Sequence, residues 1–492
     1  MISSVWARLI SSRGLPVAPA PETVTPSRAM WLACAMLFVG FCGDVLRYTI
    51  GWVGYLIVVL ALVVMAGALY ARRRPQVRIF DLPYLLVGFM LWCWLSTIWS
   101  RYPLETIIGS TLQTVTAAGG VAMAVSLGRF QFLRSFGVTM RMLVFGSLLF
   151  ELFAAILSPG GVVPPVYLHT DTLGRLLGNS APTSTEEIPG SFYWTHSQLF
   201  AGGPLQGLMG NRNLLAFVAL LAIIVTLAEV MDGFIGRTYA TVSILAATAA
   251  LLLTDSATAY VALAFVLLGA SLVSIGRRVK RRHRWLLYAS VGTLLVAGAI
   301  VVITNNNEIF AAMNRSSDMS GRGTIWHAVI ELGSSTPILG LGWVSYWAPW
   351  VPEFSQLAVI DGVAYHQAHN AFLDAWMQTG VVGLLLLAGV VATTLIRTWW
   401  LAIDLHDVPL MPLANRERLR ASMSAAVPFL LMVALVVQAM TESRLLVEGD
   451  WLLLSYLAIF AKFRSANAPL RPRAQGTVTH ANENLALDLR VR

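Results

Sequence analysis

The sequence predicts an all-α polytopic membrane protein with about twelve transmembrane helices and a large, partly helical extracytoplasmic loop. Three observations lead to this fold class. Of the 492 residues, 57% are hydrophobic and only 12% are charged, whereas soluble domains carry about 25% charged residues. Apolar runs of roughly 20 residues, the length that crosses a bilayer, recur along the chain. Basic residues gather in the short loops between these runs, as in "ARRRP" and "GRRVKRRHRW".

The formal net charge of +9 does not indicate a nucleic-acid partner. The Lys and Arg residues are divided among many short loops, a distribution that sets the orientation of a membrane protein and forms no single binding patch. Cys34, Cys42 and Cys93 fall in or beside apolar runs, without a CxxC motif or an evident pair. We therefore expect neither a disulfide nor a cysteine-bound metal.

Twelve apolar spans are predicted from the runs of hydrophobic residues. They lie near 30–46, 50–70, 82–99, 104–127, 138–158, 212–231, 238–254, 258–275, 286–303, 379–399, 423–440 and 450–462. With the N-terminus in the cytoplasm, the loops richest in Lys and Arg fall inside, and both termini are cytoplasmic.

This topology divides the chain into segments of different character. They are a disordered cytoplasmic tail at 1–28, a bundle of nine spans at 29–303 with an external loop at 159–208, a large extracytoplasmic loop at 304–378, the C-terminal spans at 379–463, and a disordered cytoplasmic tail at 464–492. Connections longer than about 15 residues are usually functional or disordered. The apolar periodicity of "TIWHAVIEL" predicts helices lying at the membrane surface within the large loop.

The large loop carries Arg315 and Arg322 on the external side, within "NRSSDMSGRGTIW". A guanidinium group offers a planar fork of donors that suits phosphate oxygens. The glycines of "SGRG" also let backbone N–H groups approach an anion at the start of a helix. These arginines are therefore either an anion clamp or solvated loop charges.

The stretch "HQAHNAFLDAW" places His366 and His369 where the large loop re-enters the membrane. A histidine titrates near neutral pH, so at the lip of a cavity it suits the role of a general base. The alternatives are a water-exposed side chain or a metal site, since the two histidines are three residues apart, although no third ligand is evident. The stretch also fits the start of a helix, with Asn370 near the cap and Asp374 in the next turn.

Two further stretches bring polar residues to the ends of spans. Arg212 and Asn213, in "GNRNLLAF", are costly against lipid, so we expect them to face a cavity or the interior of the bundle. Asp255, Ser256 and Thr258, in "TDSATAY", either line the same external cavity or cap a helix, with capping favoured.

Together these stretches resemble the O-antigen ligase and O-antigen polymerase superfamily of membrane glycosyltransferases. Arg322 and Gly333 have the spacing R-x10-G, and His369 and Gly380 have the spacing H-x10-G. The stretches "SGRGTIW", "GNRNLLA" and "TESRLL" are similar to other recurring segments of the family, with Glu442 at the matching acidic position. The order and spacing of the set, on one side of the membrane, make the resemblance specific.

The resemblance spans roughly residues 200–460 and implies a transferase of the GT-C type in the bacterial cytoplasmic membrane. The donor would be a glycan on undecaprenyl diphosphate in the outer leaflet, and the acceptor a hydroxyl of a polysaccharide, glycolipid or glycoprotein. Neither a metal nor a cofactor is implied. Arg322 would hold the diphosphate, and His369 would be the general base. The other predicted substrate-binding residues are Arg212, Asn213, Arg315, His366 and Asn370.

The chain departs from the family pattern at two places. "GGPLQG" lacks the arginine that many ligases carry before the "GNRN" region, and "TDSATAY" lacks the arginine often found after its serine. The second phosphate-binding arginine is therefore open, with Arg175, Arg212 and Arg315 as candidates.

Two other classes compete with this interpretation. Twelve spans also suit a transporter or flippase of an envelope lipid, but the halves show no clear internal repeat, and transporter sites usually lie near the bilayer midplane. A peptidoglycan polymerase of the shape, elongation and division type needs a catalytic Asp, for which Asp318 and Asp361 are available. The sequence does not separate a ligase from a polymerase.

Overall fold

The computed structural model describes residues 27–73, 81–168, 188, 190–304, 322–360, 363–404 and 423–466. These residues are mainly helical, apart from the two-residue strands β1 (Val359–Ile360) and β2 (Val363–Ala364), which pair antiparallel. The helices are α1 (Arg28–Arg73), α2 (Tyr84–Leu95), α3 (Pro103–Ser126), α4 (Arg129–Leu157), α5 (Pro165–Leu168), α6 (Arg212–Met231), α7 (Arg237–Leu253), α8 (Ala257–Arg278), α9 (Arg284–Thr304), α10 (Arg322–Gly333), α11 (Pro352–Ser355), α12 (Ala371–Asp404), α13 (Val427–Ala439) and α14 (Glu448–Ala466).

Six of the described helices are long and apolar enough to cross a membrane, namely α1, α3, α4, α6, α8 and α12. Shorter apolar helices accompany them at Tyr84–Ile98, α7 and α13. The prediction of a multi-pass helical membrane protein is confirmed, whereas the number of twelve spans stays a prediction. The predicted tails, apart from a few residues at their inner ends, lie outside the described residues.

The first two predicted spans form one long element in the structure. Helix α1 covers both, but its backbone leaves helical geometry at Cys42 (φ −138°, ψ 36°) and at Gly51 (φ 71°). The sequence "GDVLRYT" lies between these two points. A polar segment is therefore held between two apolar helical segments, and it faces the site described below.

Helix α6 forms the centre of the bundle and packs against α4, α7, α8 and α13. Its residues are apolar on every side, and most of them are buried, as expected for a helix without a lipid-facing stripe. On one side of this core, α14 packs against α1 and α3. The first turn of α6 and the turn between α13 and α14 lie at the same end of the bundle.

Helix α12 begins earlier than the predicted span at 379–399, because its first turns belong to the polar end of the bundle. The helix starts at Ala371 and bends at Gly380 (φ 66°, ψ −172°). The segment that follows α10 packs against this bend, where Leu341 N donates to Met377 O (3.1 Å) and Gly342 N donates to Gln378 O (2.9 Å). The large loop is thus hydrogen-bonded to the top of α12.

Charged side chains tie the helices together at the opposite end of the bundle. Arg284 at the start of α9 pairs with Asp404 at the end of α12. Arg141 of α4 pairs with Glu229 of α6, and both side chains are almost completely buried. A charge pair is less costly than a lone charge inside a bundle, so these contacts fix neighbouring helices against each other.

Candidate active site

Glu442, in the turn that follows α13, lies at the centre of a polar network. The residue is 3% exposed. Its Oε1 accepts hydrogen bonds from Asn213 Nδ2 (2.9 Å) and from Arg322 Nη2 (3.0 Å). Its Oε2 accepts from Gln367 Nε2 (3.2 Å) and lies 2.9 Å from His369 Nδ1. One carboxylate therefore joins side chains that are far apart in the sequence.

Four helices begin at this network. Asn213 is in the first turn of α6, Arg322 opens α10, and His369 stands just before α12. Ser256, the N-cap of α8, donates to Asn213 Oδ1 (2.9 Å) and accepts from Ala259 N (3.4 Å). The predicted capping role of Ser256 is thus present together with a link to the site. Helix N-termini carry partial positive charge, so their convergence favours an anion here.

The loop that presents His369 is fixed by the buried carboxylate of Asp374, which is 1% exposed. Oδ2 of Asp374 accepts from Ala368 N (3.3 Å), and Oδ1 accepts from Trp347 Nε1 (2.9 Å) and Gln378 Nε2 (2.7 Å). His369 itself has φ 49°, a left-handed conformation that non-glycine residues adopt rarely. Strained backbone of this kind persists where its surroundings hold it, as Asp374 does here.

The two motif glycines are required by close packing between the large loop and α12. A Cβ on Gly333 would lie 2.7 Å from the ring of Trp376, so the glycine lets α10 approach α12. A Cβ on Gly380 would lie 2.0 Å from Ile338 O, and φ at this residue is +66°. In each of the two motifs, R-x10-G and H-x10-G, the first residue therefore belongs to the polar network and the glycine allows close packing between the large loop and α12.

Electrostatics favour an ionised Glu442. Burial opposes ionisation, but the electrostatic interactions with His369 and Arg322 and the hydrogen bonds from His369 and Asn213 hold the pKa of Glu442 below its usual value. Burial lowers the pKa of the His366 imidazole. Nδ1 of His366 is buried without a hydrogen-bond partner among the described residues.

Asn370 acts first as a helix cap. Its Oδ1 accepts from Phe372 N (3.0 Å) and Leu373 N (3.1 Å), and its Nδ2 donates to Met440 O (3.3 Å). Arg212 occupies the first position of α6, beside Asn213, and is partly buried. The remaining candidates Arg175, Arg315, Asp318 and Asp361 lie outside the described residues.

A cavity of about 900 Å³ opens beside the network. Its polar end is lined by Gln367, Glu442, Arg444, Glu448 and Arg47. From there it continues as an apolar groove between α1 and α3, along residues such as Leu56, Val59, Val63, Leu112 and Val115. The cavity thus has a charged end beside Glu442 and an apolar groove between two membrane-spanning helices.

Sequence reasoning did not identify Gln367, Arg47 or Glu448 as members of this region. Gln367 stands between the two predicted histidines, but a glutamine carries no chemical pattern of its own. Arg47 and Glu448 each lie at the end of an apolar run, where an ionisable residue is a signal for a functional site. Their pairing depends on a contact between α1 and α14 that the sequence does not reveal.

The fold and the site define a multi-pass membrane protein with an Arg–Glu–His network beside a cavity that is charged at one end and apolar along the rest. Residues 241–388 match the family described as O-antigen ligase. A relative, the exopolysaccharide production protein ExoQ of Rhizobium meliloti (strain 1021), is 29% identical over 197 residues, which cover 38% of this chain and 45% of the relative. The chain therefore matches less than half the length of that relative.

These matches confirm the resemblance carried by the motifs, because residues 241–388 are similar to the O-antigen ligase family. The matched segment includes Arg322 and His369, whereas Glu442 follows it.

Proposed function

We propose that this protein moves a glycan from undecaprenyl diphosphate to an acceptor hydroxyl on the outer side of the bacterial cytoplasmic membrane. The acceptor belongs to a polysaccharide, a glycolipid or a glycoprotein. The single observation that carries the proposal is the carboxylate of Glu442, which holds the side chains of Arg322 and His369 at the same time. This contact supports a proposal in which the guanidinium binds phosphate and the neighbouring imidazole accepts a proton.

His369 is the general base in this proposal. When Nδ1 donates its proton to Glu442 Oε2, at 2.9 Å, Nε2 is the unprotonated nitrogen of the ring. The acceptor oxygen bonds to the anomeric carbon while its proton passes to Nε2. The bond between the sugar and the phosphate oxygen breaks, and its electron pair leaves with the diphosphate. The carboxylate of Glu442 stabilises the imidazolium that forms, as in other orienting Asp–His pairs.

Arg322 stabilises the leaving group. Only Nη2 of its guanidinium is used by Glu442, at 3.0 Å, so the fork keeps donors for diphosphate oxygens. Negative charge on the diphosphate grows as the bond breaks, and fixed positive groups act most strongly on it where the dielectric is low. The guanidinium of Arg322 and the converging helix N-termini together neutralise the charge that a divalent ion would otherwise neutralise. Neither a metal nor a cofactor takes part in the proposed route.

The cavity supports a lipid-linked donor. Its apolar groove between α1 and α3 suits a polyprenyl tail, and its polar end adjoins Glu442. A tail in the groove leaves the diphosphate at the level of the network, while the rest of the chain remains in the bilayer. Arg212, Asn213, Arg315, His366 and Asn370 stay proposals as residues that bind the substrates or shape their site.

The proposal is tested with purified protein in liposomes and a defined undecaprenyl-diphosphate-linked oligosaccharide. We expect His369→Ala to lower transfer by about 10²–10⁴-fold, the usual contribution of a general base. Arg322→Lys should also fail, because the charge remains while the planar fork is lost. Products are sized on a gel, where a ladder means polymerase and a single shift of a foreign acceptor means ligase.

His327 is the matched control for His369. It is an exposed histidine on α10, away from Glu442, so His327→Ala should transfer at the rate of the wild type. Normal turnover of His369→Ala would refute the assignment of the base. Glycan that crosses the bilayer with its diphosphate bond intact would instead identify a transporter.

A further inference from the structure

The cavity contains a second charged group, separate from the Glu442 network, that the route above does not use. It is a chain of alternating charges formed by Asp44, Arg47, Glu448 and Arg444, here called the Arg444 relay. The members come from the polar segment of α1, from the turn after α13 and from the start of α14. The relay lines the cavity, and Arg47 lies against Trp52 and Tyr55, where the apolar wall formed by α1 begins.

Arg47 is the anchor of the relay, and its guanidinium is fully engaged. Nε and Nη2 donate to Asp44 Oδ1 at 3.0 Å and 2.6 Å, and Nη1 contacts Glu448 Oε1. The guanidinium also lies over the rings of Trp52 (5.2 Å) and Tyr55 (5.1 Å). Such cation–π contacts add to the fixation of a partly buried arginine.

Arg444 is the open end of the relay. Its Nη2 donates to Glu448 Oε2 at 2.7 Å, and the side chain is 14% exposed and lines the cavity. One hydrogen bond uses only part of a guanidinium fork, so Arg444 has donors left for an anion. Glu448 holds this orientation from a left-handed backbone position (φ 49°), which indicates that the surrounding structure fixes it firmly.

The position of Arg444 along the cavity matches the shape of a prenyl diphosphate. Ser443 alone separates it from Glu442, so the Arg444 relay and the Glu442 network are adjacent. On the other side, the cavity wall formed by α1 runs from Tyr55 to Ala66, a distance of about 16 Å along the helix, and is mainly apolar. A charged head between these two regions contacts Arg444.

We propose that Arg444, oriented by Glu448 and Arg47, is the second arginine that binds the diphosphate of the polyprenyl donor. This inference rests on the proposed function and assigns the position for which the sequence left Arg175, Arg212 and Arg315 open. Arg444 binds the lipid-side part of the diphosphate, while Arg322 binds near the bond that breaks. Arg444 is therefore a substrate-binding residue that acts mainly on donor affinity.

The test compares the binding of undecaprenyl diphosphate and of undecaprenol by intrinsic tryptophan fluorescence of the purified full-length protein. We expect Arg444→Gln to weaken binding of the diphosphate by about 10- to 100-fold, as for the loss of charge-assisted hydrogen bonds. Arg444→Lys should lie between this variant and the wild type, because it keeps the charge without the fork. Binding of undecaprenol should be equal in all three proteins, which also reports that the cavity has folded.

Arg284 provides the matched control, since it also forms a partly buried ion pair, with Asp404, at the opposite end of the bundle. Arg284→Gln should bind both lipids like the wild type. In the transfer assay, Arg444→Gln should raise the donor KM far more than it lowers kcat. If Arg444→Gln binds undecaprenyl diphosphate as tightly as the wild type does, this inference is overturned and the proposed function stands. If the wild-type protein does not bind undecaprenyl diphosphate more tightly than undecaprenol, the proposed function is overturned as well.

Discussion

The contact between Glu442 and His369 decides which nitrogen of the imidazole is available for chemistry. When Nδ1, 2.9 Å from the carboxylate, carries the ring proton, Nε2 is the nitrogen that accepts a proton in the proposed mechanism. The same carboxylate holds Arg322, so loss of its charge disturbs both side chains at once. In the proposed mechanism, a single buried residue thus sets the tautomer of the base and the direction of the guanidinium.

Glu442→Gln tests this dual role, because glutamine keeps the size of the side chain but removes its charge. We expect transfer to fall by roughly 10²-fold, since the base loses its orienting partner and the imidazolium its counter-charge. The measurement is kcat with the lipid-linked oligosaccharide. Glu331→Gln, an exposed carboxylate change on α10, is the control and should leave the rate unchanged.

The pH dependence of stability gives a second readout of the same variant. The pKa of Glu442 is held below its usual value of 4.5 in the folded protein. A carboxyl group with a depressed pKa contributes stability that is present above its unfolded-state pKa and is lost as the pH falls through the folded-state pKa. The unfolding temperature of the wild type should therefore fall more steeply below about pH 4.5 than that of Glu442→Gln. Parallel curves would contradict the ionised state of Glu442.

For single residues, the sequence predicted which side chains belong to the candidate site but not how they are arranged. Arg322, His369 and Glu442 all stand in recognisable motifs, because guanidinium, imidazole and carboxylate groups are few in so apolar a chain. Gln367 carried no such signal, and Arg444 stands in "TESRLL" but was not singled out there. Their roles depend on side-chain directions in turns, which follow from tertiary packing.

The bend of α12 is the element that connects the large loop to the bundle. Gly380 lies at the bend with φ 66°, and Ile338 O occupies the place that a Cβ would take, at 2.0 Å. Trp92 Nε1 also donates to Thr379 O (2.9 Å), so α2 helps to hold the bend. The segment before the bend carries Asp374, and Asp374 fixes the His369 loop.

Gly380→Ala should therefore destabilise the protein. A left-handed backbone costs an alanine about 1–3 kcal/mol, and the contact with Ile338 O adds to that strain. We expect a lower unfolding temperature in detergent and a matching loss of transfer as the His369 loop shifts. Gly292→Ala in α9 is the control, because a Cβ there meets nothing within 4 Å. Equal unfolding temperatures for the two variants would show that the bend tolerates a side chain.

The elements themselves were predictable to different degrees. Hydropathy located the apolar helices well, since burial in lipid demands long apolar runs. It placed the apolar span at 379–399, whereas the helix begins at Ala371, next to the cap that the sequence offered at Asn370, because the polar first turns follow the large loop and not the lipid. It also predicted two spans across α1, where the structure has one long element whose backbone departs from helical geometry at Cys42 and at Gly51, on either side of the polar segment.

Across the whole molecule, the two ends of the bundle differ in their chemistry. The Glu442 network, the Arg444 relay and the helix N-termini of α6, α8 and α10 lie at one end. The short basic connection "GRRVKRRHR" between α8 and α9 lies at the other end, beside the Arg284–Asp404 pair. Short basic loops stay in the cytoplasm, so this distribution supports an extracytoplasmic position for the site.

Two glycines in open turns allow a direct test of that orientation. Gly160 follows α4 at the end of the bundle that holds the site, and Gly236 precedes α7 at the opposite end. A Cβ at either position meets nothing within 4 Å, so cysteine should be tolerated equally at both. In a background without Cys34, Cys42 and Cys93, we expect a membrane-impermeant maleimide to label Gly160→Cys in intact spheroplasts and Gly236→Cys only after the membrane is opened. The reverse pattern would put the Glu442 network in the cytoplasm, where an acceptor on the outer surface is out of reach.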